Sequence, residues 1–322
     1  MRVSSLGEFA LIERLTLVLG SVTSGDQPLL GIGDDAAAWQ PTPGTVTVAT
    51  SDALVEGVHF DLAATSWFDL GWKALAENVS DIAAMGCRPR YGLIALCLPP
   101  SVEAADVEDL YRGVAACCEA YACRVVGGDV VRAPCVVLLV TLLGESLPAD
   151  SSGRPRLLKR SQAQPGDVLA VSGPLGASAG GLRLLLQGTG RSDLTQADEA
   201  LIRAHRRPEP RVEAGLAMIE AGLRCAIDVS DGLVADVGHI CEQSGVDAEI
   251  DSNRVSISAE TVARFGDAAV DLALSGGEDY ELVCAGSGDA VESASARLAE
   301  VGRRRLVCIG RVVERERCSD PR

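Results

Sequence analysis

Gly31-Ile32-Gly33-Asp34-Asp35-Ala36-Ala37 places two adjacent carboxylates between small and apolar residues, with no basic side chain in the stretch. A carboxylate cannot be buried without a counter-charge, so this pair implies either exposure or a bound cation. Working outward, acids recur in four more stretches: Thr50-Ser51-Asp52, Asn78-Val79-Ser80-Asp81, Gly127-Gly128-Asp129 and Asp228-Val229-Ser230-Asp231-Gly232. Each follows an apolar run or falls within a helical pattern. A single aspartate at a strand end usually caps a turn. Five such stretches together point to metal. Dispersed carboxylates suit magnesium, a hard ion commonly held by one or two acids together with phosphate oxygens and water.

The bulk properties narrow the field. At 322 residues and 47% hydrophobic, the chain is long enough for two domains with their own cores. Forty-five acids against 29 bases give a formal charge of -16, which disfavours nucleic acid or an anionic membrane as partner. Eleven cysteines without a CxxC pair read as small reduced core residues of a cytoplasmic protein. Zinc-ligand spacing is absent, and His59, His205 and His239 lie far apart. Arg2, Glu8, Glu13 and Arg14 leave no apolar core for a signal peptide, and no apolar run reaches the ~20 residues of a membrane span.

Along the chain, residues 6–19 carry apolar side chains at helical spacing, and Leu29–Ile32 reads as a strand feeding the acidic loop. Thr45–Thr50 alternates as a second strand with Ser51-Asp52 at its end. Ser66 caps a helix over 67–85 that Gly86 terminates, with Glu77, Asn78 and Asp81 on one face. For Glu77 a solvated polar stripe is an equal reading. Strands follow at Tyr91–Leu98, Arg124–Val126 and Cys135–Gly144, with a helix over 101–122 between the first two. The pattern predicts a first domain over 1–145 and a second over 146–322, with the linker-like residues 146–156 at the junction.

In the second half, strands are expected at Val168–Val171, Ala226–Ile227, Glu281–Cys284 and Leu306–Val312. Helices are expected over 195–206, 211–221, 233–243 and 290–300, and another opens at the glycine-rich stretch 173–181. That stretch lacks the GxxxxGK[ST] pattern, so close helix packing fits it better than a phosphate cradle. His205, among Arg203, Arg206 and Arg207, reads as a solvated surface residue, and His239 as structural. Strands and helices alternate without internal repeat, which predicts two unlike α/β domains. No GxSxG or Cys-His signature argues for a covalent nucleophile.

The ordered blocks resemble the thiamine-monophosphate kinase family. They are Gly33-Asp34-Asp35-Ala36-Ala37, Ser51-Asp52 through Glu56-Gly57-Val58-His59-Phe60, Lys73 to Gly86, Gly127-Gly128-Asp129, Ser230-Asp231-Gly232-Leu233, and Ser275 to Leu282. The resemblance implies the two-domain aminoimidazole-ribotide synthetase-like fold, α/β (α+β), with the N-terminal sheet domain pairing in a homodimer. It also implies ATP-dependent phosphorylation of thiamine monophosphate to thiamine diphosphate. Carried over by motif, Asp35, Thr50, Ser51, Asp52, Asp81, Asp129, Asp228 and Asp231 hold several Mg²⁺ ions. Gly128, Asp129, Arg160, Ser230 and Tyr111 contact ATP, while His59 and Glu278 face the thiamine substrate.

The chain departs from the family in two places. Val130 and Val131 stand where two threonines usually follow Gly-Gly-Asp, and Cys318-Ser319-Asp320-Pro321-Arg322 replaces the usual aromatic tail. Two further readings stay open on sequence alone: another ATP-dependent synthetase of the superfamily, or a non-catalytic binder of nucleotide or thiamine phosphate.

Overall fold

The computed structural model describes residues 1–188 and 194–315, and they divide into two compact units. The first comprises Met1–Ile82 and Cys87–Pro155; the second comprises Ala83–Gly86 and the chain from Arg156 onward.

In the first unit, helices α1 (Val3–Leu6) and α2 (Glu8–Leu19) precede β1 (Thr47–Val55), α3 (Trp67–Ala84), β2 (Arg88–Leu98), α4 (Ala104–Tyr121), β3 (Arg124–Arg132) and β4 (Val137–Glu145). The strands form one sheet in the order β1-β4-β2-β3. Only the β2–β3 pair is parallel; the others are antiparallel. Helix α3 starts where Ser66 Oγ accepts the Asp69 N–H at 3.1 Å, and beyond its end Gly86 takes φ 68°. Both features follow the sequence expectation.

The helices α3 and α4 meet backbone to backbone. A Cβ on Gly71 would lie 1.9 Å from the Leu110 carbonyl oxygen, and one on Gly113 would lie 1.9 Å from that of Phe68. Leu70, Leu75, Ile82, Ile94, Leu96, Leu110, Leu138 and Leu142 are each under 2% exposed. Burial of such side chains contributes roughly 1.5–3 kcal/mol apiece.

The second unit orders β5 (Val168–Val171), α5 (Ala177–Leu186), α6 (Gln196–Arg206), α7 (Val212–Glu220), β6 (Cys225–Asp228), α8 (Leu233–Ser244) and β7 (Val246–Ile250). Then come α9 (Ala259–Phe265), α10 (Ala269–Ser275), β8 (Leu282–Gly286), α11 (Gly288–Glu300) and β9 (Val307–Glu314). Its sheet runs β6-β8-β5-β9-β7 and is antiparallel throughout. Leu233, Val237 and Ile240, at helical spacing on α8, join Leu169, Ile227 and Val283 of the sheet in one buried cluster.

Several expected boundaries shift. Leu29–Ile32 makes only isolated bridges, Leu30 with Ala38 and Ile32 with Asp34, instead of a strand. β1 continues to Val55, so Ser51 and Asp52 lie within it, and β3 carries Gly127-Gly128-Asp129 inside the strand. In both cases the sheet pairing continues through polar or glycine residues that locally suggest a turn. Among the described residues, no helix is long and apolar enough to cross a membrane.

Candidate active site

Strand alternation decides which acids of the first unit converge. On β1 the even positions turn inward: Thr50, Asp52 and Leu54 lie on one face, and Ala49, Ser51 and Ala53 on the other. Thr50 Oγ1 donates to Asp81 Oδ2, joining β1 to α3. Burial holds the Asp52 carboxyl above its usual range, and repulsion from Asp81 adds to that. Among the described residues, no Lys or Arg forms an ion pair with either acid. Thr50, Asp52 and Asp81 therefore make an oxygen-rich group whose mutual repulsion a divalent cation would relieve.

The remaining candidates of this unit stand apart from that group. Ser51, on the opposite face, donates to the Val140 carbonyl at 3.2 Å and lies 2.9 Å from Thr141 Oγ1. The register runs Ala53–Leu139–Ala95–Asp129 across the sheet, so Asp129 shares the outer face with Ser51. Asp129 Oδ1 accepts the Val130 N–H at 2.9 Å. Asp35 is exposed in its loop, its N–H bonded to Asp34 Oδ1 at 2.8 Å. Gly128 allows the strands to approach, since a Cβ there would sit 2.0 Å from the Ile94 oxygen.

His59 closes the turn after β1. Its Nδ1 accepts the Val55 N–H at 3.1 Å, which places the proton of the neutral ring on Nε2. Glu56 Oε2 clamps the same turn by accepting the Val136 N–H at 2.9 Å. Tyr111 is 5% exposed in the core on α4, and burial pushes its phenol pKa up. Glu77 is half-buried instead of solvated.

In the second unit, two loops press together. Glu278 N–H donates to the Ser230 oxygen at 2.8 Å and Tyr280 N–H to the Val229 oxygen at 2.9 Å, extending the β6–β8 pairing beyond Asp228. Asp228 itself is buried at 2% exposure. The Ser230–Gly232 turn is held by Asp236, a residue the sequence reading missed: its Oδ2 accepts three backbone N–H groups at 3.1 Å, from Ser230, Asp231 and Gly232. Asp236 shares the buried face of α8 with Leu233, Val237 and Ile240, and an acid in that apolar pattern was the available signal. Burial raises its pKa, with repulsion from Asp231 contributing. Asp231, Asp236 and His239 bring ligand atoms within 4.8 Å of one another. Arg160 is exposed, and its carbonyl accepts the Ser244 hydroxyl at 2.8 Å.

The glycine-rich turn before α5 is a packing device. Asp279 occupies its amides, with Oδ2 accepting from Gly176 at 2.6 Å and Oδ1 from Ser178 at 3.0 Å. Beside it lies a cavity of about 560 Å³ lined by Ser230, Asp231 and Glu278 from the loops and by Leu182, Arg183 and Leu186 from α5. His205 is 8% exposed rather than solvated, and its Nδ1 lies 3.1 Å from Glu278 Oε2. It follows Leu201 and Ile202 at helical spacing, a signal its arginine neighbours obscured.

A four-stranded sheet unit followed by an antiparallel five-stranded one defines a class. The AIR synthase related protein, N-terminal domain, matches residues 33–146, and the AIR synthase related protein, C-terminal domain, matches residues 164–320. A thiamine-monophosphate kinase of Aquifex aeolicus is 38% identical over 286 residues, 88% of this chain and 87% of the relative. The crystal structure of thiamine-monophosphate kinase from Stenotrophomonas maltophilia matches with TM-score 0.83 and 39% identity over 96% of this chain and 95% of its own. AaThiL complexed with AMPPCP and TMP matches with TM-score 0.75 and 34% identity over 98% and 94%. The chain belongs to the thiamine-monophosphate kinase family, as its motifs predicted.

Proposed function

We propose that this chain transfers the γ-phosphoryl group of ATP to thiamine monophosphate, forming thiamine diphosphate. The observation that carries this reading is the 34% identical relative whose structure holds AMPPCP and TMP, an ATP analogue and the required acceptor. The acceptor phosphate is largely ionised near neutral pH, so no strong general base is needed. Donor and acceptor are both anions, and bound Mg²⁺ would supply charge neutralisation and a bridge between the phosphates.

Asp35, Thr50, Ser51, Asp52, Asp81 and Asp129 of the first unit and Asp228 and Asp231 of the second are the proposed Mg²⁺ ligands. The all-oxygen character of the Thr50, Asp52 and Asp81 group and the raised pKa of Asp52 support this assignment. Gly128, Asp129, Arg160 and Ser230 bind ATP, with Tyr111, buried on α4, as a further candidate contact for the nucleotide. His59 and Glu278 bind the acceptor. Leu182 and Leu186 give its organic end an apolar wall, and the Glu278 carboxylate complements its cationic ring. The enzyme acts in the cytoplasm as a homodimer; the described cysteines are not joined in disulfides, in keeping with a reducing compartment.

The test is turnover with thiamine monophosphate, ATP and Mg²⁺, in the native protein and in Asp81→Asn. The native protein forms thiamine diphosphate and stops in EDTA. Asp81→Asn lowers kcat/KM at least a hundredfold, roughly 3 kcal/mol of transition-state stabilisation, with the circular dichroism spectrum unchanged. Activity that survives EDTA, or a variant with normal kinetics across a magnesium titration, overturns the metal assignment. Absence of product from the native protein overturns the activity itself.

A further inference from the structure

Glu278 stands on strained backbone. Its φ is 63° and that of Tyr280 is 52°, a left-handed conformation that costs a residue with a Cβ roughly 1 kcal/mol or more. Such a turn persists only where its surroundings hold it. The main chain is held by Ser230 and Val229 and the Asp279 carboxylate by the amides of Gly176 and Ser178, which leaves the aim of the Glu278 side chain to be explained. That side chain is 31% exposed at the cavity and meets His205 of α6.

The ring of His205 supplies the aim. Its Nδ1 lies 3.1 Å from Glu278 Oε2 and 3.1 Å from Ser178 Oγ. A ring nitrogen facing a carboxylate oxygen at that distance carries the hydrogen, so Nδ1–H donates to Glu278, and Ser178 Oγ accepts a share of it. Glu278 and Ser178 both line the cavity, whereas His205 does not.

We infer that His205 is a positioning residue for acceptor binding: its Nδ1–H orients the Glu278 carboxylate toward the cavity, where that carboxylate meets the cationic end of the acceptor. The inference rests on the proposal that Glu278 binds the acceptor. A contact made equally in ground and transition states appears in KM and leaves kcat nearly alone. A packing role for His205 would instead lower stability or kcat without selecting one substrate.

Two amide variants separate these roles. Asparagine keeps an N–H near the position of Nδ1; glutamine carries it one bond further. His205→Gln is expected to raise KM for thiamine monophosphate roughly tenfold, the scale of a lost hydrogen bond to a charged group. KM for ATP and kcat stay within about twofold. His205→Asn recovers most of the loss, and in a Glu278→Gln background His205→Gln adds less than about twofold, because the two act as one unit. Nitrogen NMR of the native protein shows the Nδ1–H tautomer and a shift on adding thiamine monophosphate, a readout that stands even if a variant fails to fold. An Nε2–H tautomer, an unchanged KM in His205→Gln, or full additivity with Glu278→Gln overturns the inference while turnover by the native protein stands. A native protein that consumes no thiamine monophosphate overturns the functional reading instead.

Discussion

Asp279 shows how two opposed forces act on one carboxylate. Desolvation pushes its pKa up to about 6, and the amides of Gly176 and Ser178 only partly counter that. A carboxyl whose pKa is higher in the folded than in the unfolded chain stabilises the fold below the unfolded value of 3.8, and that contribution is lost as pH rises through about 6. Asp279→Asn does not titrate. Its stability relative to the native protein should therefore improve by about 2 kcal/mol between pH 4 and pH 7. Urea unfolding at half-unit pH steps measures this, and a flat difference across the window would refute it. The same residue shows what sequence leaves hidden. Asp279 sits in a block whose family likeness was evident, yet its task, capping α5 from a distant loop, depends on a contact across 101 residues. Asp236 and His205 escaped for a related reason: a polar side chain in an apolar pattern shows its partners only once the helix face is packed.

Among the elements, the helices were the most legible, because caps and periodicity are local. Ser66 and Gly86 bracket α3 as expected. The strands were less so: Gly127 and Gly128 suggest a turn, but their neighbours in β2 keep them in a ladder from Leu93 to Leu98. β7, α9 and α10 were not anticipated, and the short α9 and α10, seven residues each, give little periodicity to read. The packing role expected of the glycine-rich stretch does emerge. A Cβ on Gly181 would lie 2.1 Å from the Leu201 carbonyl oxygen, so α5 and α6 approach only because that side chain is absent. Gly181→Ala gains helix propensity worth about 1 kcal/mol but must part the two helices. It is expected to destabilise the protein by roughly 2 kcal/mol net. A denaturation midpoint equal to the native one would show that the helices shift apart freely.

For the whole molecule, assembly turns on the outer face of the first sheet. Leu93, Leu139 and Val131 are 38%, 42% and 44% exposed, respectively. The register sets them in adjacent rows of that one face: Ser51–Thr141–Leu93–Gly127, Ala53–Leu139–Ala95–Asp129, and Val55–Val137–Cys97–Val131. The centre of this face, Leu139 on β4 and Leu93 on β2, is apolar and is what a symmetric partner would cover, while Ser51 on β1 and Asp129 on β3 stand at its two edges. The tail residues Cys318-Ser319-Asp320-Pro321-Arg322 lie outside the described residues, whereas this face is wholly within them. If the proposed homodimer uses it, Leu139→Asp places an unpaired charge at the middle of the interface, a cost of roughly 3 kcal/mol or more. The dimer dissociation constant should then rise at least about a hundredfold. Sedimentation equilibrium at micromolar concentration should show native dimer and variant monomer, with the variant's circular dichroism spectrum unchanged because position 139 points away from the core. Native protein that sediments only as monomer removes the dimer, and a variant that remains dimeric moves the interface to another surface.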